Sequence, residues 1–152
     1  MYVSCSSLVY TLAECPDVRD AVGRLKGRGF RALDLAAFEG WQNVDPSRLA
    51  DGDEAWVRGL AEALAAADMR VSSINAGPSR AVNDPALDAF AQYRREYAAL
   101  LDLAEAVGCG NITVQPGGSL EGHDVAELLA TATEHLAALA PLGAARGMTL
   151  SV

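Results

Sequence analysis

Two side-chain amides occupy positions from which they could bind the hydroxyl groups of a small ligand. Asn75 ends the β-prone run Arg70–Asn75, and Gln115 ends the run Asn111–Gln115. A side-chain amide both donates and accepts hydrogen bonds, and it is a poor ligand for zinc. We therefore expect Asn75 and Gln115 to recognise ligand hydroxyls. The alternative is that each amide only holds the glycine-containing loop that follows it.

Four further candidates lie in or beside polar segments. The ring of Trp41 can serve as an apolar platform for a ligand or as packing over the end of a sheet. Glu39 can face a ligand or solvent, and His123, directly before Asp124, can do the same. Ser6 ends the first β-prone run and can reach the same region. We treat all four as ligand-binding candidates, with packing or solvent exposure as the alternative.

Other ionisable side chains are expected to be structural. His135 lies beside the apolar stripe of a predicted helix, and the thiol of Cys15 has no basic residue near it in sequence. The consecutive residues Arg94–Glu96 indicate a solvated helix face, because charged side chains are seldom fully buried. None of these residues is predicted to carry chemistry.

A repeated unit positions the candidates. A helix ends in a short turn, usually with a glycine, and a β-prone run and then a longer polar loop follow. The predicted strands are 2–6, 31–35, 70–75, 111–115 and 148–152. Four helices are indicated by apolar residues at steps of three and four, the last along Val125, Leu128, Leu129, Ala132, Leu136 and Leu139. Strict alternation of this kind predicts an α/β fold with a parallel sheet.

Helix ends and loop lengths add detail to this unit. Asp17, Asp51 or Asp53, and Asp84 before Pro85 can accept from the first N–H groups of a helix. Glycines at the opposite helix ends indicate left-handed C-caps. The longer loops follow the strands, at 7–16, 38–52, 76–84 and 116–123. Parallel α/β proteins carry their chemistry on that side, which is where the candidates lie.

Length and composition indicate one domain, residues 1–152, with 51% apolar and 21% charged residues. The net charge of −8 argues against nucleic acid and anionic membranes as partners, because both attract basic surfaces. No apolar run approaches the roughly 18 residues of a membrane span, and the first residues lack the pattern of a signal peptide. Three cysteines, an odd number, suit reduced thiols, so a cytoplasmic location is expected.

Two parallel architectures remain. An open doubly wound sheet would bind a nucleotide or flavin through Ser6–Tyr10, yet neither usual glycine-rich phosphate motif is present. A (βα)8 barrel with units of about 37 residues would need about 300 residues, so this chain would supply about four and a half units. Val152 falls within the fifth predicted strand. We therefore expect the N-terminal part of a partial TIM barrel, truncated in strand 5.

Four segments carry a resemblance to a known family, and they are Gly29–Leu35, Ser73–Gly77, Ala104–Gly118 and Ala144–Val152. In order, they resemble the second strand, the end of the third strand, the third helix with the fourth strand and following loop, and the approach to the fifth strand. The family that they resemble is the xylose isomerase-like TIM barrels, the sugar phosphate isomerases and epimerases that are related to endonuclease IV. Together these segments span the chain.

The resemblance implies a proton or hydride shift on a small ketose or aldose, assisted by a divalent metal such as Mn²⁺, Mg²⁺, Co²⁺ or Zn²⁺. The family's metal ligands follow strands five to eight, so we expect them beyond Val152 and assign no catalytic residue. In endonuclease IV, zinc-binding histidines stand where this chain has Asn75 and Gln115, which favours a polyol or sugar over DNA. A homo-oligomer, and a non-catalytic half-barrel that binds another protein, stay open as alternatives.

Overall fold

A parallel sheet of five strands organises the protein, for which a computed structural model describes residues 3–10, 13–40, 44–115, 117–119 and 121–152. The strands are β1 (Ser4–Ser6), β2 (Ala32–Phe38), β3 (Arg70–Gly77), β4 (Asn111–Val114) and β5 (Thr149–Ser151). They pair in chain order, β1-β2-β3-β4-β5, without the reversal of strand order that defines a doubly wound sheet. The predicted α/β fold is confirmed, and the strand order is that of a (βα)8 barrel.

The described residues contain the four predicted helices and one short helix in the second loop. The helices are α1 (Val18–Gly27), α2 (Pro46–Ala50), α3 (Glu54–Ala66), α4 (Leu87–Ala106) and α5 (Val125–Ala144). The predicted caps Asp17 and Asp53 are confirmed. The helix α2 could not be predicted from periodicity, because five residues are too few for a periodic apolar stripe. Its start carries the usual signals, since Asp45 is the cap and proline is the first helical residue.

The start of α4 differs from the prediction. Its N-cap is Ala86, whose side chain has no acceptor. The Asp84 carboxylate instead accepts from the Ala86 N–H at 3.0 Å and forms an ion pair with Arg80 at 2.9 Å. Asp84 lies two residues before the N-cap, so it shapes the turn that leads into α4 and does not cap the helix.

The four turns from helix to strand share one backbone pattern. Each contains a residue with positive φ, at Gly29, Asp68, Gly108 and Gly147. The next residue donates its N–H to the carbonyl five residues earlier, as from Phe30 to Leu25 at 3.1 Å and from Cys109 to Ala104 at 2.8 Å. This is the hydrogen bond of a Schellman motif, so the predicted left-handed C-caps are confirmed.

The core lies between the sheet and the helices. Its largest fully buried side chains come from strands β2 to β4 and from helices α1, α3, α4 and α5. They are Leu25, Leu33, Leu35, Leu60, Ile74, Tyr93, Tyr97, Leu100, Leu101, Leu103, Ile112 and Leu139. The apolar stripe predicted for α5 is only partly correct. Val125 is 48% exposed and Leu129 is 63% exposed, because the buried stripe is narrower than the apolar one. It follows Leu128, Ala132 and Leu139, and the two exposed residues lie on its flank.

None of the helices in the described part of the chain is both long and apolar enough to cross a membrane.

Candidate functional site

A cavity of about 570 Å³ opens at the carboxyl ends of β2, β3 and β4. Its walls are the end of β2, the loop that follows β3, one residue of α4 and the end of β4. They are lined by Phe38, Glu39, Gly77, Pro78, Ser79, Arg80, Ala81, Val82, Tyr93, Gln115 and Gly117. A second cavity, of about 460 Å³, lies between α2, α3 and α4 on the outer side of the sheet. Only the first lies where parallel α/β proteins bind ligands.

Asn75 and Gln115 lie together at this edge, as the sequence predicts. The Gln115 Nε2 donates to the Asn75 Oδ1 at 3.3 Å, across the neighbouring strands β3 and β4. Asn75 is half-buried and Gln115 is exposed. Within the described part of the chain, the Asn75 amide donor and the Gln115 carbonyl oxygen take no part in this hydrogen bond. Both can therefore bind a ligand.

A different amide holds the loop that follows β4. The Oδ1 of the buried Asn83 accepts from the Gly118 N–H at 2.8 Å. A Cβ on Gly117 would lie 2.5 Å from the Asn83 Nδ2, so this approach requires glycine. The loop is therefore held by Asn83. This role could not be predicted, because nothing in the sequence marks a single polar residue within a loop as buried.

Glu39 follows β2 and lies against α2. Its side chain is half-buried, and its Oε2 accepts from the Ser47 hydroxyl at 2.9 Å. Burial raises the pKa of the Glu39 carboxyl, and the nearby Asp45 carboxylate raises it further. The hydrogen bonds from Ser47 lower this pKa, but their effect is smaller. Glu39 lines the cavity, and its half-buried carboxyl group is hydrogen-bonded to Ser47.

The prediction of a solvated face at Arg94–Glu96 is wrong for Glu96, because this residue is 0% exposed. Its carboxylate accepts from the Ser79 N–H at 2.8 Å, the Ser79 hydroxyl at 2.6 Å and the Gln92 Nε2 at 2.5 Å. It also contacts the Ser47 hydroxyl at 3.0 Å. Helical spacing was the available signal, because Glu96 lies three residues after Tyr93, which is also buried.

Tyr93 contributes a buried phenol to the cavity wall. The residue is 1% exposed, and within the described residues its hydroxyl has no hydrogen-bond partner. Burial raises its pKa well above the usual range of a phenol, so the hydroxyl keeps its proton. A buried donor without a partner is costly, and an oxygen of a bound ligand would satisfy it.

The other sequence candidates lie apart from the cavity lining or outside the described residues. The Ser6 Oγ accepts from the Leu8 N–H at 3.2 Å and caps a 3-10 turn at Ser7–Val9. His123 is exposed in the loop before α5. Trp41 falls outside the residues that the structure describes.

The residues predicted to be structural behave as such. The ring of His135 stacks on Phe90 with centroids 4.0 Å apart, and its Nδ1 lies 2.7 Å from the Val82 carbonyl oxygen. Cys15 is fully buried in the core. These interactions place neither side chain in the cavity.

The carboxylates of the site do not fit a metal ion. Within the described residues, no three His, Cys, Asp or Glu side chains are arranged to hold one. Glu96 is surrounded by donors from Ser79 and Gln92, and Glu39 is bound to Ser47.

A sequential parallel sheet with a cavity at the carboxyl ends of its strands is the arrangement of the β/α barrels. The sequence pattern of one barrel family, the xylose isomerase-like TIM barrel, matches residues 22–152. The chain therefore belongs to the xylose isomerase-like TIM barrel family. None of the curated proteins compared with it is significantly similar in sequence.

Solved structures with this fold include sugar epimerases and isomerases. A D-psicose 3-epimerase, crystallised in the presence of D-fructose, has a TM-score of 0.77 and 12% identity over 99% of this chain and 51% of its own. An IolI protein with a bound zinc atom has a TM-score of 0.75 and 13% identity over 99% and 50%. A sugar phosphate isomerase/epimerase from Parabacteroides distasonis has a TM-score of 0.66 and 13% identity over 97% and 49%. This chain spans about half the length of these proteins, and it has a sugar isomerase/epimerase-like fold.

Proposed function

We propose that this chain forms the ligand-binding half of a sugar isomerase or epimerase barrel and binds a small polyhydroxylated compound at the carboxyl ends of β2, β3 and β4. The observation that carries the proposal is the convergence of Asn75 and Gln115 at the edge of a cavity of about 570 Å³. A volume of that size suits a small ligand. Paired amides suit adjacent hydroxyl groups, because each can donate to one oxygen and accept from another.

The groups at the cavity have distinct parts in this binding, with Asn75 held beside the lining by its hydrogen bond with Gln115. The amides of Asn75 and Gln115 bind and orient ligand hydroxyls, and the buried Tyr93 hydroxyl donates to a ligand oxygen. The ring of Phe38 supplies an apolar surface for the carbon skeleton. These residues only bind and orient the ligand. We expect other residues to shift a proton or hydride between neighbouring carbons and to hold a divalent metal.

Binding can be tested by titrating the ¹⁵N-labelled chain with D-fructose, the sugar present with one structural neighbour. We expect shifts concentrated at the ends of β3 and β4. We expect Gln115→Ala to weaken binding about tenfold, the value of one to two hydrogen bonds. Glu62→Ala, an exposed change on α3, is the matched control and should bind as the wild type does. Shifts elsewhere, or equal loss in both variants, would contradict the proposal.

A second candidate, association through an edge of the sheet, is favoured by exposed apolar side chains beside the edge strand β1. Val3 precedes β1 and Val9 follows it, and both are more than half exposed. Edge strands of this kind pair readily with other chains. Sedimentation equilibrium would show a concentration-dependent dimer that Val9→Lys weakens. A monomer at every concentration would remove this candidate.

A further inference from the structure

The loops at the cavity contain donors of the kind that bind phosphate, and the protein itself already uses them. A phosphate group is usually held by arginine side chains and by backbone N–H groups. The Ser79 N–H and hydroxyl both donate to the buried Glu96 carboxylate, at 2.8 Å and 2.6 Å. The Gly118 N–H donates to the Asn83 Oδ1 at 2.8 Å. A ligand anion would therefore have to compete with the protein for each of these donors.

The cation in the cavity wall is also paired. Arg80 is the single Lys or Arg among the described residues that line the cavity, and its Nη2 lies 2.9 Å from the Asp84 Oδ2. The Oδ1 of the same carboxylate accepts from the Ala86 N–H at 3.0 Å, which holds Asp84 beside Arg80. The Arg80 side chain is 45% exposed, so a ligand could reach it if Asp84 released it. Asp84 thus occupies the place that a phosphate would take.

The other charged groups at the cavity are carboxyl groups. Glu39 lines it, Asp45 lies near Glu39, and Glu96 lies directly behind Ser79. A phosphate ester carries about two negative charges at neutral pH, so it would bring like charges together here. The amides of Asn75 and Gln115 carry no charge and suit hydroxyl groups.

We propose that the cavity selects an uncharged polyhydroxylated compound over its phosphate ester, and that Asp84 determines this choice by holding Arg80. This selection rests on the proposed function, since it concerns the ligand of the same cavity. The uncharged compound is preferred because the ester would leave its charge beside carboxyl groups without a free cation. Asp84 does not line the cavity and acts through Arg80, so it is a positioning residue.

Inorganic phosphate tests the role of Asp84 without a sugar. The ¹⁵N-labelled whole chain is titrated with phosphate at constant ionic strength, and the amide shifts of the loop after β3 are followed. Asp84→Asn removes the charge and keeps an oxygen that can accept from the Ala86 N–H. We expect this variant to bind phosphate about fivefold more tightly than the wild type, the most that one exposed ion pair is worth. Equal affinity in the two proteins would overturn the proposal.

Two further variants exclude other causes of a gain. Asp68→Asn removes the same charge from an exposed ion pair with Arg31 at the opposite edge of the sheet, and it should bind phosphate as the wild type does. Combining Arg80→Met with Asp84→Asn removes the released cation and should abolish the gain. A gain in Asp68→Asn, or a gain that persists without Arg80, would contradict the proposal.

Two sugars separate this proposal from the proposed function. We expect D-fructose 6-phosphate to bind about tenfold more weakly than D-fructose, because its phosphate meets the carboxyl groups. Asp84→Asn should reduce that difference. Equal or tighter binding of the ester to the wild type would overturn the selection and leave the cavity as a sugar site. If neither compound shifts the ends of β3 and β4, the proposed function fails, whereas the phosphate titrations still decide whether Asp84 withholds Arg80.

Discussion

The two ends of the sheet are built by different means. At the amino ends of the strands, one short turn with one backbone hydrogen bond pattern occurs four times. At the carboxyl ends, the loops differ in length, and side chains distant in sequence hold them, such as Ser47 with Glu96 and Gly118 with Asn83. The turns depend on backbone conformation and the loops depend on particular side-chain partners.

This difference corresponds to a division of labour. A turn that uses only local backbone geometry can be repeated with little constraint on its side chains, as Asp68 shows in the place that glycine has elsewhere. A loop that lines a cavity needs long-range contacts, because its own backbone does not determine its position. Substitutions at the carboxyl end should therefore cost more than substitutions in the turns.

The largest effect is expected for Glu96→Ala. The change leaves the donors of Ser79 and Gln92 without an acceptor in a buried site, and we expect a loss of about 3 kcal/mol in the free energy of unfolding. Urea denaturation measures this loss, and Arg94→Ala, exposed on the same helix, should change stability by less than about 0.5 kcal/mol. Equal effects in the two variants would show that the loops do not depend on the buried carboxylate.

A smaller loss is expected for Gly77→Ala at the end of β3. Its Cβ would lie 2.8 Å from the Phe38 Cε1 and closer still to the Cδ1, so the ring, which lines the cavity, must shift. We expect about 2 kcal/mol of destabilisation in thermal or urea unfolding. Gly110→Ala is the matched control before β4, where an added Cβ meets nothing within 4 Å, and it should be close to neutral. A neutral Gly77→Ala would indicate that the wall yields freely.

The smallest effect is expected in the turns. Gly29 has φ of 89°, and Gly29→Ala should cost about 1 kcal/mol because alanine is strained in this conformation. Asp68, with φ of 51°, lies at the equivalent position of the next turn. Asp68→Gly relieves the strain and loses only an exposed ion pair with Arg31, so its stability should change by less than about 0.5 kcal/mol. A loss of several kcal/mol in Gly29→Ala would mean that the turns are not locally determined.

Much of the architecture could be predicted because its signals are local. The alternation of strands and helices, the left-handed turns and the meeting of Asn75 with Gln115 all follow from periodicity and from the parallel order of the strands. The helix α2 was missed because it is too short for a periodic pattern. Val125 and Leu129 were wrongly predicted to lie in the core. The spacing of apolar residues shows how wide an apolar stripe is, but it does not show how much of that stripe other elements cover.

The site was predictable only in part. Asn75 and Gln115 were candidates because of their places at strand ends, and Glu39 was a candidate because it lies in the longest predicted loop. Glu96 and Tyr93 were not, because they lie on a helix, away from the ends of the strands. A glutamate directly after two arginines looks solvated until the fold shows which face of the helix is covered.

The sequence alone determined where strands, helices and turns alternate, since these depend on side-chain periodicity and on residues that tolerate a left-handed backbone. It also placed two amides at one edge of the sheet. The tertiary structure alone decided which polar groups are removed from water and which partners they meet there. Ser47, Ser79 and Glu96 belong to three separate segments, and only the packing of α2 and the loop after β3 against α4 brings their oxygen atoms within hydrogen-bond distance.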